Sequence, residues 1–239
     1  MSPLRISVVT ISILAAILAD ASEEIKSDAA KEALDAYQRE TTELSAKHLA
    51  ATIEASQKYL KDLRAASAKV VTEGNVEEGL QIGQLIKRVE LRVQFDQARL
   101  SFLQPRAVFE VKGSGFQLKL LRNSATAYSN GGFVWAGVPE QLDGWQFTQI
   151  AGGDTPEMSL EIKKGGVVFV AANSTTELQK DGWQPLLQLS FTFTDKANNR
   201  LGILSKQFKA GETLKIQHHG WAGTLVLIPN DQPAVLTGL

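Results

Sequence analysis

The hydrophobic pattern of the chain changes period once. From about Ser22 to Gln104, apolar residues recur at steps of three and four, at Ala30, Leu34, Tyr37, Leu44, Ile53, Leu60, Leu63 and Val70. That spacing predicts helix over 24–72. A break follows at "TEGNVEEG", where Gly74 suits a left-handed residue closing one helix and Asn75 with Glu78 can form the capping box of the next. Ile82, Ile86, Val89, Val93, Leu100 and Leu103 then place a second helix over 76–103, stopped by Pro105. The pair predicts an antiparallel hairpin whose first helix overhangs the second, leaving its N-terminal third to fray, self-associate or pack elsewhere. Thr41, His48, Ser56 and Ser67 interrupt an Ala-rich stripe, so a marginal hairpin or an oligomeric coiled coil is expected. His48 is expected as a half-buried polar residue in that seam.

From Arg106 the period becomes two. "RAVFEVKGSGFQLKLL" alternates about a Gly-Ser-Gly turn and predicts a β-hairpin. Further strand-like runs, from "FVWAGV" to "GTLVLIP", are separated by turn clusters such as "SNGG", "KKGG" and "KAGE" without a helical signal between them. In the last run Leu225, Leu227 and Pro229 share one face and Val226 and Ile228 the other, which predicts a strand covered on both sides. The expected class is α+β in separate regions: an antiparallel helical hairpin or coiled coil over 22–104, then an all-β antiparallel sandwich, jelly-roll-like, over 105–239. All four tryptophans and most phenylalanines fall in the β region, where most of the stability is expected.

The first 21 residues follow neither period. A short basic start precedes the uncharged run Ile6–Leu18, and Ala19-Asp20-Ala21 supplies small residues for a peptidase. The run is shorter than the roughly 20 residues that span a bilayer, so a signal peptide over 1–21 is expected, an uncleaved anchor being the alternative. The mature chain is then exported, periplasmic or extracellular, with no transmembrane span. The chain has no cysteine, which removes disulfides, thiolate nucleophiles and Cys-based metal sites. A net charge of −1, spread evenly over both regions, gives no reason to expect nucleic acid as a partner.

No catalytic or phosphate-binding motif is present, so no catalytic residue, cofactor or metal is assigned. Glu110, Asp154, Glu157, Glu161, Asp181, Asp195 and Glu212 are dispersed acids from which a glycosidase pair could be assembled in space. His218 and His219 adjoin Gly220 and Trp221. On a continued strand they would face opposite ways; a turn at Gly220 could bring them together as ligands or bases, but the preferred reading is a hairpin corner with Trp221 packed behind it. Trp135, Trp145, Trp183 and Trp221 each adjoin turn residues. Such rings either close a core or form platforms for sugar faces, and with His218 and His219 they are the candidate ligand contacts.

Together "FVWAGVPEQLDGWQFTQIAGG", "SLEIKKGGVVFVAAN", "DGWQPL" and "KAGETLKIQHHGWAGTLVLIP" resemble a β-sandwich module of secreted bacterial proteins, many of them planctomycetal, that often accompanies carbohydrate-active domains. "EGNVEEGLQIGQLIKRVE" is similar to helical hairpins of the same group. The resemblance implies an accessory or carbohydrate-binding-like role and assigns no binding residue. Three functions follow as expectations: a glycan- or cell-envelope-binding module, a structural or assembly protein that meets itself or a protein partner through the helical arm, and, third, a hydrolase with dispersed carboxylates.

Overall fold

A computed structural model describes residues 27–195, 197, 199–230 and 235–237, with residues 187, 188 and 235–237 described by backbone alone. The expected signal peptide lies outside the described residues. Two helices come first, α1 (Asp28–Thr72) and α2 (Val76–Leu103). Their junction is built as its residues dictate. Gly74 takes φ +84°, the Glu78 N–H donates to Asn75 Oδ1 at 3.3 Å, and Asn75 Nδ2 returns to the Glu78 carboxylate at 2.8 Å. Leu49, Ile53 and Leu60 of α1 are buried with Val93 of α2, with Ile86, Val89, Leu100 and Leu103 around them, and Arg64 pairs with Glu90.

The chain divides into two compact units, 1–48 and 49–239. In the first, the described residues 27–48 include no buried side chain, and Tyr37 and Leu44 are exposed. His48 is exposed as well, which corrects the expectation of a half-buried seam position.

Among the described residues the second unit continues into eleven strands: β1 (Val108–Gly113), β2 (Phe116–Leu120), β3 (Trp135–Ala136), β4 (Gln146–Ile150), β5 (Met158–Lys164), β6 (Gly166–Ala172), β7 (Gln184–Phe193), β8 (Arg200–Phe208), β9 (Thr213–Lys215), β10 (Thr224–Ile228) and β11 (Val235–Thr237). They form a seven-stranded sheet ordered β2-β4-β10-β6-β8-β7-β3 and a four-stranded sheet ordered β11-β1-β5-β9. The antiparallel pairs β4·β10, β5·β9 and β6·β8 are nested one inside the next, and the middle pair lies in the other sheet. That nesting is the jelly-roll pattern. One cluster of buried residues draws from both sheets, including Phe109, Leu160 and Ile162 of the smaller and Val168, Val170, Leu204 and Val226 of the larger.

Four details differ from the sequence reading. β1 and β2 belong to different sheets, so Gly-Ser-Gly is a corner and not a hairpin. At Gly113, φ is +119° and a Cβ would stand 1.9 Å from the Glu157 carbonyl oxygen, so the chain crosses the edge where only glycine fits. A helical turn, α3 (Thr175–Lys180), follows β6. The strand in "FVWAGV" shrinks to Trp135–Ala136. A further strand, β11, follows "GTLVLIP" and pairs in parallel with β1.

β10 and β6 are buried at every position, as an apolar strand covered on both faces must be. The register aligns Phe147, Leu227, Phe169 and Ser205 in one row across the larger sheet. Phe102 of α2 stacks on Phe169 at 5.2 Å, and Ser101 Oγ lies 3.0 Å from Ser205 Oγ. The end of α2 therefore roofs this face, while the alternate row faces the smaller sheet. Trp145 joins the roof, packed against Phe102 and Phe169.

Candidate functional site

The four tryptophans separate by environment. Trp135 is 1% exposed among Tyr128, Phe147 and Phe191. Trp145 is 3% exposed, against Phe169, with the Arg106 guanidinium 5.2 Å over its ring. Trp183 is 3% exposed beside Phe208 and borders a cavity of about 140 Å³ with Lys206 and Gln217. These three close the core and offer no free ring face. Trp221 is 44% exposed.

Trp221 is nevertheless held. The edge of its ring lies over Gly152, where a Cβ would stand 2.3 Å from Cη2 and Cζ2. Its carbonyl accepts the Gly153 N–H at 2.8 Å. Tyr128 and Phe133 meet the ring edge to face at 4.9 and 5.5 Å, and Phe193 lies 5.6 Å away. The Asn130 amide clamps Gly152 from the other side, donating to its carbonyl at 2.9 Å and accepting its N–H at 2.7 Å. Tyr128 donates to the Ala222 carbonyl at 3.3 Å; burial, then the charge of Asp195, holds its phenol above the ordinary pKa. The result is a half-exposed indole on a braced aromatic base, with Asn130 and Asp154 exposed beside it. A ring so held presents an apolar face to a ligand without first losing side-chain freedom.

His218 and His219 do not extend a strand, because β9 ends at Lys215. The chain there is an arch between sheets, with positive φ at Gly220 and Gly223. His218 Nδ1 accepts the Thr224 N–H at 3.2 Å, which fixes the neutral ring with its proton on Nε2. Burial first, then the neighbouring His219, lowers its pKa. Both Nε2 atoms are buried without a hydrogen-bond partner among the described residues. The described residues contain no group of three His, Asp or Glu side chains suited to a metal, and the His218–Thr224 bond ties the arch that carries Trp221. The expected hairpin corner is thus a crossing between sheets, and Trp221 packs on the Gly152 loop beyond it.

Four of the dispersed acids, Glu110, Glu161, Asp195 and Glu212, have structural partners. Glu110 and Glu161 are in register on β1 and β5, bridged by Lys112 and Lys163 on the face of the smaller sheet. Glu212 accepts the Lys209 N–H, Asp195 accepts the Asn199 N–H, and Asp181 follows the last turn of α3.

A feature the sequence reading missed lies beside the platform. Gln117, Lys119, Arg122, Thr126, Ser129 and Gln149, with the apolar Leu120 and Ala125 among them, border a groove of about 390 Å³ along the edge strand β2. Gln117 donates to Gln149 Oε1 at 2.6 Å, and Gln149 Nε2 donates to the Thr126 carbonyl at 2.8 Å. The signal was the register of two polar residues across β2 and β4, which requires the pairing to be known.

No family model and no curated protein matches the chain. A solved structure of a GH138 enzyme targeting pectin rhamnogalacturonan II is similar at 12% identity and a TM-score of 0.40, over 64% of this chain and 21% of that one. The chain thus spans about a fifth of that enzyme's chain, and at this level the likeness carries no argument about this chain.

Proposed function

We propose that the protein is an exported, non-enzymatic binding module for glycan or another cell-envelope component, with Trp221 as its contact platform. The observation that carries the reading is the exposed indole, braced by three aromatic rings and by a glycine loop that a methyl group would obstruct. An aromatic face rimmed by polar side chains suits a ring with one apolar face and hydroxyls around it. The test is affinity electrophoresis of the mature chain against envelope and plant polysaccharides, with Trp221→Ala beside wild type. Saturable retardation lost in the variant supports the reading; no retardation by any polymer sinks it.

A second reading is assembly through the helices. It is favoured by residues 27–48, which carry exposed Tyr37 and Leu44 and bury no side chain. Helices that bury nothing are marginal in water. Light scattering of the mature chain tests it, and a strict monomer that crosslinks to no envelope protein counts against it.

A further inference from the structure

The groove along β2 is lined by two amides, two hydroxyls and two cations, with Leu120 and Ala125 between them. Gln117 and Gln149 are tied to each other and to the Thr126 carbonyl, so the floor is set before any ligand arrives. Lys119 and Arg122 are exposed, and neither has a carboxylate within 4.0 Å among the described residues. Leu120 and Ala125 offer an apolar strip to a sugar ring, while a neutral ligand would leave both charges unused. The groove also adjoins the platform. Ser129 in the groove follows Tyr128, whose ring touches Trp221. Gln149 in the groove precedes Gly152, which lies under the Trp221 ring, by three residues, at most about 10 Å of chain.

We propose that this groove holds the carboxylate of an acidic sugar, a uronic acid, in a polysaccharide whose neighbouring ring stacks on Trp221. Arg122 presents a planar fork that fits a carboxylate through two parallel N–H donors, with Lys119 as a point charge beside it. The Ser129 and Thr126 hydroxyls and the second Gln117 N–H meet the sugar hydroxyls. The inference rests on the glycan reading above and adds the ligand's charge to it.

The experiment measures the mature protein against alginate, the same alginate with its carboxyl groups reduced, and dextran sulfate. Wild type is set beside Lys119→Gln/Arg122→Gln and Trp221→Ala. The expected result is at least roughly tenfold preference for alginate over its reduced form, the size of one lost charge-assisted hydrogen bond. The double variant should lose that preference and bind the two alginates equally, and Trp221→Ala should weaken both. Equal affinity for the two alginates overturns the groove assignment and leaves the glycan reading standing. So does a preference that survives in the double variant. Dextran sulfate bound as tightly as alginate marks a general cationic patch and also overturns it. No binding of either alginate by wild type overturns the groove assignment, and the polysaccharide panel above decides the glycan reading separately.

Discussion

Replacing Gly152 by Ala tests the platform without touching an aromatic residue. Its φ lies outside the positive region that favours glycine, so alanine adds no backbone strain. The added Cβ would stand 2.3 Å from two carbons of the Trp221 ring, well inside contact distance. Gly152 is clamped through both backbone polar groups by Asn130, whereas the indole is 44% exposed and has room to leave. The ring should therefore swing outward. It then loses much of three aromatic contacts, each worth about 0.5–1.5 kcal/mol, so the expected destabilisation is about 1–3 kcal/mol with the fold retained. Fluorescence with acrylamide quenching reads the ring directly, because the other three tryptophans are buried. G152A should shift emission to the red, raise the quenchable fraction and weaken polysaccharide binding. Gly132→Ala, which meets nothing within 4 Å, is the control and should change none of these. If G152A leaves emission, quenching and stability within about 0.5 kcal/mol of wild type, the usual range for surface changes, the braced platform is refuted.

Other expectations follow from the same geometry. Gly113→Ala puts a methyl group 1.9 Å from the Glu157 carbonyl at φ +119°, and chemical denaturation should show a loss of about 3 kcal/mol or more, or no folded protein. Phe102→Ala removes the ring stacked on Phe169 and should cost about 2–4 kcal/mol, with a change in Trp145 emission; an unchanged midpoint would show that the helix end does not hold the sheet. Interaction with Lys112 and then Lys163 holds the Glu161 carboxyl down to about 2. Its contribution is complete above the unfolded value of 4.5 and fades as pH falls toward 2, so Glu161→Gln should flatten the melting temperature over that window. His218 is lowered from 6.5 by burial, so the unfolded chain binds its proton first; stability should fall as pH drops below 6.5, and His218→Asn should remove that slope.

How far the residues announce the structure depends on the range of the interaction. The helix junction is local: Gly74, Asn75 and Glu78 specify it within five positions, and it forms as they dictate. The burial of "GTLVLIP" on both faces was also readable, because two apolar faces on one strand require two covers. The Gly-Ser-Gly corner was not, since its decisive contact is Gly113 with Glu157, and nothing local separates a corner from a hairpin. The tryptophans show the same limit. All four sit beside turn residues, but only the pairing of distant strands buries Trp135, Trp145 and Trp183 and leaves Trp221 half in water. The polar groove was invisible for that reason too, because Gln117 and Gln149 become neighbours only when β2 pairs with β4.

The position of β10 has a consequence for how the chain comes into being. In the larger sheet it is the strand that joins β2-β4 to β6-β8-β7-β3. Thr224–Ile228 follows all the other strands of that sheet in the chain, so a ribosome has delivered them before the strand that joins them exists. Until then the two halves expose unpaired edges on β4 and β6, a template for pairing with other chains. Contacts this distant along the sequence are also slow to form. The nascent chain must therefore stay uncommitted, or be kept so by a chaperone, until β10 emerges.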